Sequence, residues 1–351
     1  MAVSRALRHQ TGVSEATREQ ILHIARDLGY APDARLASWM TQVRASSSKD
    51  LLPIAWLNTC NEKDSWHRYP FHAPSLEGSR ERALELGYKI EEIWCCEPGL
   101  TMRRLKNIIY RRGIEGVIVT QPARHLRLDW GRLAGVSLGG TLMAPRLHSI
   151  TQDFIFNLKL ALKSLKRLGY RRIGLCIQHE VGSGSSSNMR ASMLDVYSRE
   201  LSIEEIPPLL YPPWWKSVSP EGKYVEGRFK QTATLSWLKR YKPEVVVGFD
   251  NRLEQWVKAA GFRVPEDIGI VHLARDDDVL DWAGINSHRR VMGATAVEWL
   301  VSLIRNRQFG VPKHPVSILI RGSWQSGWTL GGSPSAKAKT VPKRRTAKKE
   351  L

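Results

Sequence analysis

The chain has 351 residues, 42% of them hydrophobic, with 53 Lys and Arg against 34 Asp and Glu and a formal net charge of +19. That length suits two or three domains with substantial cores, and the charge implies a polyanionic partner, nucleic acid first and an anionic membrane surface second. No stretch approaches the roughly 18 apolar residues of a membrane span. The N-terminus has no apolar signal-peptide core, and Cys60, Cys95, Cys96 and Cys176 lack metal-ligand spacing. The expectation is a cytoplasmic protein with reduced thiols, no membrane contact, no metal and no cofactor.

In chain order, VSRAL (3–7) reads as a short helix with Ser4 and Arg5 on one face and Val3, Ala6 and Leu7 on the other. Gly12 ends it. Ser14 is a suitable N-cap for a second helix, whose apolar residues Ile21, Ile24, Ala25 and Leu28 recur at helical spacing before Gly29 stops it. Two short helices do not make a core, so more chain is expected in front of Met1. Ala31-Pro32-Asp33 is a break, residues 35–43 suit one or two helical turns, and SSSKD (46–50) is a linker.

From Pro53 the rhythm changes. PIAWLN (53–58) reads as a buried strand, LEGSRERALELG (76–87) as a helix, YKIEEIW as a strand, TMRRLKNIIYRR as a helix and EGVIVT as a strand. After Asp153 come a helix to Leu168, strand RRIGLCI, a helix near 189–201, strand IPPLL and a helix at 229–241. Strand EVVVGF, a helix at 251–260, strand DIGIVHL, a helix at 291–306 and strand VSILI complete the series. Such alternation predicts an α/β protein with largely parallel sheets. The strands suffice for two sheets, hence two lobes, with a ligand cleft at the carboxyl ends of the strands. GSGSSSN (182–188) lacks the lysine and glycine spacing of a phosphate loop and reads as a flexible loop. The tail 331–351 is basic, without apolar periodicity, and is expected to stay disordered and to add phosphate contacts.

The ordered segment VSRAL…VSEATREQILHIARDLGYAPD resembles the DNA-binding headpiece of LacI/GalR-type transcriptional regulators. LKSLKRLGYRRIGL (162–175) and AAGFRVPEDIGIV (259–271) resemble segments of that family's periplasmic-binding-protein-like core. The resemblance implies a partial helix-turn-helix headpiece over 1–30, a hinge helix and linker over 31–50 and a two-lobed core over 51–330. Its N-lobe would span about 51–152 and 288–317, and its C-lobe about 153–287 and 318–330. It also implies a homodimer on a pseudo-palindromic operator, and a small-molecule effector between the lobes that changes operator affinity.

In the family, VSRAL lies within the recognition helix, and roughly 15–20 residues precede it. The expectation is that the start has been placed too far downstream. A native chain that does begin at Met1 points to the alternative, an effector-binding sensor that has lost specific DNA binding. The resemblance gives the DNA-binding set as Ser4, Arg5, Arg8, Ser14 and Thr17, with Arg5 suited to bidentate contact with guanine. The hinge position where the family commonly wedges a leucine into the minor groove holds Trp39, followed by Met40.

For the effector, the resemblance points to Asp153, Arg190 and the Asp250-Asn251 pair after EVVVGF. The family's next site aspartate falls at Ala274, with Asp276 as its substitute, a departure that bears on the effector class. Acids and amides at strand ends suit hydroxyl-rich ligands, carbohydrates among them. Trp66, Trp282 and Trp324 fall near cleft loops, where an aromatic face could stack on a sugar ring. Trp94, Trp237 and Trp299 fit core patterns. With no nucleophile–base pair, metal set or cofactor loop, the enzymatic reading is set aside.

Overall fold

The structure is a computed structural model that describes Ala6 and residues 14–27, 51–60, 63, 72–120, 125–140, 142–178, 185–201, 206–211, 231–275 and 279–331. By itself, the N-terminal unit shows helix α1 (Glu15–Asp27) among its described residues, and Ala6 is helical and buried. Ser14 caps it as expected, its Oγ accepting from the Thr17 N–H at 3.3 Å. The expected apolar stripe differs at one position. Ile21 and Ala25 are half-buried, whereas Ile24 is exposed, since it falls on the side of α1 that carries His23 and Asp27, an ion pair at 2.7 Å.

The second unit begins at Leu52 and contains two six-stranded sheets. The first has the order β2-β1-β3-β4-β5-β11 and is parallel throughout. Its strands are β1 (Leu52–Asn58), β2 (Tyr88–Trp94), β3 (Gly116–Val119), β4 (Ala134–Leu138), β5 (His148–Gln152) and β11 (Ser317–Ile320). The second has the order β7-β6-β8-β9-β10-β12. It comprises β6 (Ile173–Gln178), β7 (Leu209–Tyr211), β8 (Val245–Gly248), β9 (Gly269–Arg275), β10 (Gly284–Asn286) and β12 (Ser323–Gln325), and only β12 runs antiparallel, on β10. The architecture is thus α/β with two largely parallel sheets, as the alternation predicts.

Central strands are apolar on both faces, as a parallel sheet covered on both sides requires. In the first sheet Ile54, Trp56, Ile118, Val136 and Ile150 face α2 (His72–Glu85) and α8 (Arg289–Arg305). Ala55, Leu57, Val117 and Val119 face Leu105 and Ile109 of α3 (Met102–Arg111). In the second, Leu175, Val247, Val271 and Leu273 pack on α4 (Phe154–Arg167) and α5 (Ser185–Glu200). Cys176, Val246 and Ile270 pack on Trp237 of α6 (Gln231–Tyr241) and Trp256 of α7 (Leu253–Ala259).

Helices α2 and α8 cross at unusually short range because each presents a glycine. A Cβ at Gly78 would overlap the Arg290 carbonyl, and one at Gly293 the Ser75 carbonyl. Ser79 Oγ lies between the backbones, 2.9 Å from the Ser75 oxygen and 3.0 Å from that of Gly293. Outside the crossing, Arg290 pairs with Glu77 and Glu81, and Arg82 with Glu298 at 2.8 Å.

Several expectations are corrected. Strands β4, β5, β10 and β12 were not expected, because only a single 3-10 turn (Trp130–Arg132) separates β3 from β4, and the helix-for-every-strand rhythm skips them. Helix α2 starts at His72, not Leu76, since Pro74 sits in its first turn, where no intrahelical N–H is needed. The supposed loop at 182–188 contains the start of α5 at Ser185. The final crossing between sheets falls after Ile320 rather than after 317, because all of β11 pairs with β5. Among the described residues no helix is long and apolar enough to cross a membrane, and no group of His, Cys, Asp or Glu could hold a metal ion. The hinge 31–50 and the tail beyond Gly331 lie outside the described residues.

Candidate ligand-binding site

The chain passes from one sheet to the other at three places: β5 to α4, β10 to α8, and β11 to β12. Beside these crossings lies a cavity of about 190 Å³. The first lobe lines it with Trp56 of β1, His72 and Ser75 of α2, Leu138 and Gly139 at the end of β4, Thr151 and Gln152 of β5, and Arg289 and Met292 of α8. The second lobe adds Phe154, Phe249, His272 and Ala274. These positions are carboxyl-terminal strand ends and the first turns of helices, where a parallel α/β sheet places its ligands. A larger hollow of about 460 Å³ on α4, edged by Lys159, Lys163, Lys166, Arg167 and Glu200, opens broadly to solvent. Its Lys166–Glu200 pair at 2.6 Å is a surface ion pair, so the cavity beside the crossings is the candidate site.

Polar groups in the cavity are held in fixed positions. With its amide oxygen facing the guanidinium, the orientation that avoids opposing donors, Gln152 accepts from Arg289 Nη1 at 3.1 Å and Nη2 at 2.8 Å. Burial, reinforced by the Arg289 charge, pulls the His72 pKa down to about 3. His272, 1% exposed, is lowered to about 4, again mainly by burial. Both imidazoles are therefore neutral at pH 7. His272 Nδ1 accepts from the Ala274 N–H at 3.3 Å, which assigns the ring proton to Nε2. That Nε2, which the Phe249 backbone approaches, and the Nε1 of fully buried Trp56 have no hydrogen-bond partner at ordinary bonding distance among the described residues. Each such buried donor costs about 1–3 kcal/mol.

The expected effector residues are placed differently. Asp153 lies between two lining residues, but its carboxylate caps α4, accepting from the Phe156 N–H at 3.0 Å, and meets Arg321 at 3.5 Å. Asp250 accepts from the Arg252 backbone N–H at 3.0 Å and its Nη2 at 2.7 Å, and that guanidinium lies 5.2 Å from the Trp256 ring centre. Arg190 on α5 and Asn251 before α7 are half-buried and do not line the cavity. Trp282 is buried in the second lobe's core and Trp324 packs against it. Trp66 and Asp276 lie outside the described residues, as do Ser4, Arg5, Arg8, Trp39 and Met40. In the headpiece, Ser14 Oγ and Thr17 Oγ1 are 2.7 Å apart and share a hydrogen bond.

Sequence reading missed Trp56, His72, Gln152, His272 and Arg289. The signal that could have found them is position: each sits near a strand's carboxyl end or in a helix's first turn.

Two lobes crossed three times by the chain, with a cavity beside the crossings, define the architecture of a ligand-binding protein of the periplasmic-binding-protein type. Residues 162–324 match the periplasmic binding protein-like domain, and residues 1–33 match the bacterial regulatory proteins of the lacI family. The chain belongs to the LacI/GalR family of transcriptional regulators, which are not enzymes. No curated protein matches the chain.

Among solved structures, the transcriptional regulator CelR–cellobiose complex is similar at 18% identity and TM-score 0.58, over 93% of this chain and 94% of that one. The lac repressor dimer bound to operator and the anti-inducer ONPF is 18% identical with TM-score 0.53, over 94% and 95%. CCPA from Weissella paramesenteroides with bound glucose is 13% identical with TM-score 0.57, over 80% and 98%. At these identities the likeness is one of fold.

Proposed function

We propose that this protein is a homodimeric repressor whose operator affinity is set by a small ligand in the cavity between the lobes. The observation that carries the reading is the pairing of a lacI-type headpiece match over residues 1–33 with a cavity whose lining residues include Trp56 and His272, each with a buried ring N–H that lacks a partner among the described residues. A ligand that satisfies donors from both lobes favours the arrangement in which they face each other. Coupling between such a ligand and DNA is reciprocal, typically about 1–3 kcal/mol. The glucose, cellobiose and operator of the structural neighbours support this class of partners. Ser4, Arg5, Arg8, Ser14 and Thr17 remain the proposed DNA contacts, with Trp39 and Met40 at the minor groove. Trp66, Asp153, Arg190, Asn251 and Asp276 are proposed to act around the cavity rim, with Asp250 behind it holding Arg252.

The test is selection of binding sites from random duplexes by the full chain, followed by titration at several salt concentrations. The expected result is enrichment of a two-fold symmetric site. Its affinity should fall about 10³-fold or more between 50 and 200 mM salt, as six or more phosphate contacts require. Failure to enrich any sequence would overturn the repressor reading in favour of a ligand sensor without specific DNA binding.

A further inference from the structure

Two of the cavity's polar side chains can only donate, whereas neutral His72 and the hydroxyls of Ser75 and Thr151 can both donate and accept. Trp56 Nε1–H and the Arg289 guanidinium donate and cannot accept. His272 joins them, because its Nδ1 is taken by the Ala274 N–H and its proton lies on Nε2. The Gln152 oxygen, a natural partner for a ligand hydroxyl, already accepts both Arg289 Nη groups. No carboxylate stands among the described lining residues; Asp153, beside two of them in the chain, is engaged as a helix cap, and Asp250, whose charge reaches His272, is paired with Arg252. A ligand hydroxyl that accepts from one of these donors also brings a hydrogen that needs an acceptor. An oxyanion brings lone pairs only.

Size narrows the choice. A volume of about 190 Å³ corresponds to roughly six waters at ~30 Å³ each and falls below the ~300–1,000 Å³ of drug-sized pockets. Phe154, Phe249, Leu138 and Met292 supply apolar walls for the remainder of a small ring.

We infer that the cavity selects a monosaccharide-sized ligand bearing a carboxylate, whose oxygens accept from Trp56, His272 and Arg289. This rests on the reading of the cavity as the effector site. A phosphate offers the same oxyanion chemistry, but a hexose phosphate is larger than the matching sugar acid.

The experiment titrates the full chain, by calorimetry, with the gluco, galacto and manno hexuronates, the three parent hexoses and their 6-phosphates. The expected result is that at least one uronate binds about tenfold or more tightly than its parent hexose. Trp56→Phe, which keeps the ring and removes the N–H, should narrow that ratio toward one. A wild-type ratio near one, a 6-phosphate that outbinds its uronate, or no binding by any probe overturns the inference. If Trp56→Phe does not fold, the wild-type ratio alone decides. Retention of DNA from the site selection, measured with each probe, separates the two levels. A neutral hexose that binds as tightly as its uronate and shifts DNA affinity removes the carboxylate and leaves the effector reading standing. DNA binding indifferent to every probe removes both.

Discussion

In the lobe built on β1–β5 and β11, the cavity wall is polar and mounted on two helices locked together at Gly78 and Gly293. In the lobe built on β6–β10 and β12, the wall is two phenylalanines, an alanine and one histidine at strand ends or a helix start. The difference assigns recognition unequally: the first lobe reads the ligand's polar groups, and the second closes an apolar side over it with a single donor. Substitutions in the two lobes should therefore differ in kind.

The largest effect is expected from acid. His72 in the first lobe and His272 in the second both have pKa values depressed by burial, to about 3 and about 4. The unfolded chain binds protons first, so the stability contributed by neutral imidazoles is present above pH 6.5 and is lost as pH falls toward those values. Each contributes a slope of at most about 1.4 kcal/mol per pH unit, on the order of several kcal/mol together. Urea denaturation between pH 7 and 4 measures it. His272→Gln should flatten part of the slope, and an unchanged slope would show that the second lobe's histidine is not buried neutral.

Next comes the helix crossing. Gly293→Ala places a methyl on the Ser75 carbonyl, and about 2–3 kcal/mol is expected. Gly174→Ala in the second lobe meets the Trp237 ring, a side chain rather than backbone, and about 1 kcal/mol is expected. Equal losses in chemical denaturation would erase the contrast in packing between the lobes.

A smaller effect is expected for Ser79→Ala, about 1 kcal/mol, from the loss of the hydroxyl between two backbones. The smallest is Asp250→Asn, under about 1 kcal/mol, since Arg252 is partly exposed and the pair is local. Ligand affinity should barely change in Asp250→Asn. A tenfold loss by calorimetry would move polar recognition into the second lobe and break the comparison.

Strand–helix alternation made the two-sheet architecture legible in the sequence, because buried runs such as AWL and VVVG are unlike anything a surface segment would carry. The general location of the cavity, at strand carboxyl ends, was legible for the same reason. The lining was not. Asp153 and Asp250 are the acidic residues at those ends, yet both are consumed by helix capping and a neighbouring arginine, contacts that depend on three-dimensional placement. Trp56 reads as core in PIAWLN and is core on most of its surface; only its Nε1 marks it otherwise. His72 and Arg289 begin helices whose starts sequence reading placed a few residues too late. Their approach depends on two glycines more than two hundred positions apart in the chain, Gly78 and Gly293, and spacing within a single helix does not encode that.

The three crossings also govern the order in which the molecule can be made. The first lobe needs α8 and β11, which follow every strand of the second lobe except β12. During synthesis, β1 through β5 emerge first but lack the helix that covers Ile54, Ile118 and Val136 and the strand that completes their edge. The second lobe, begun later, has nearly all its strands by residue 286. The earliest-made sheet thus waits until late in synthesis to close. Until Arg289–Ile320 leaves the ribosome, its apolar face is a natural place for a chaperone to hold.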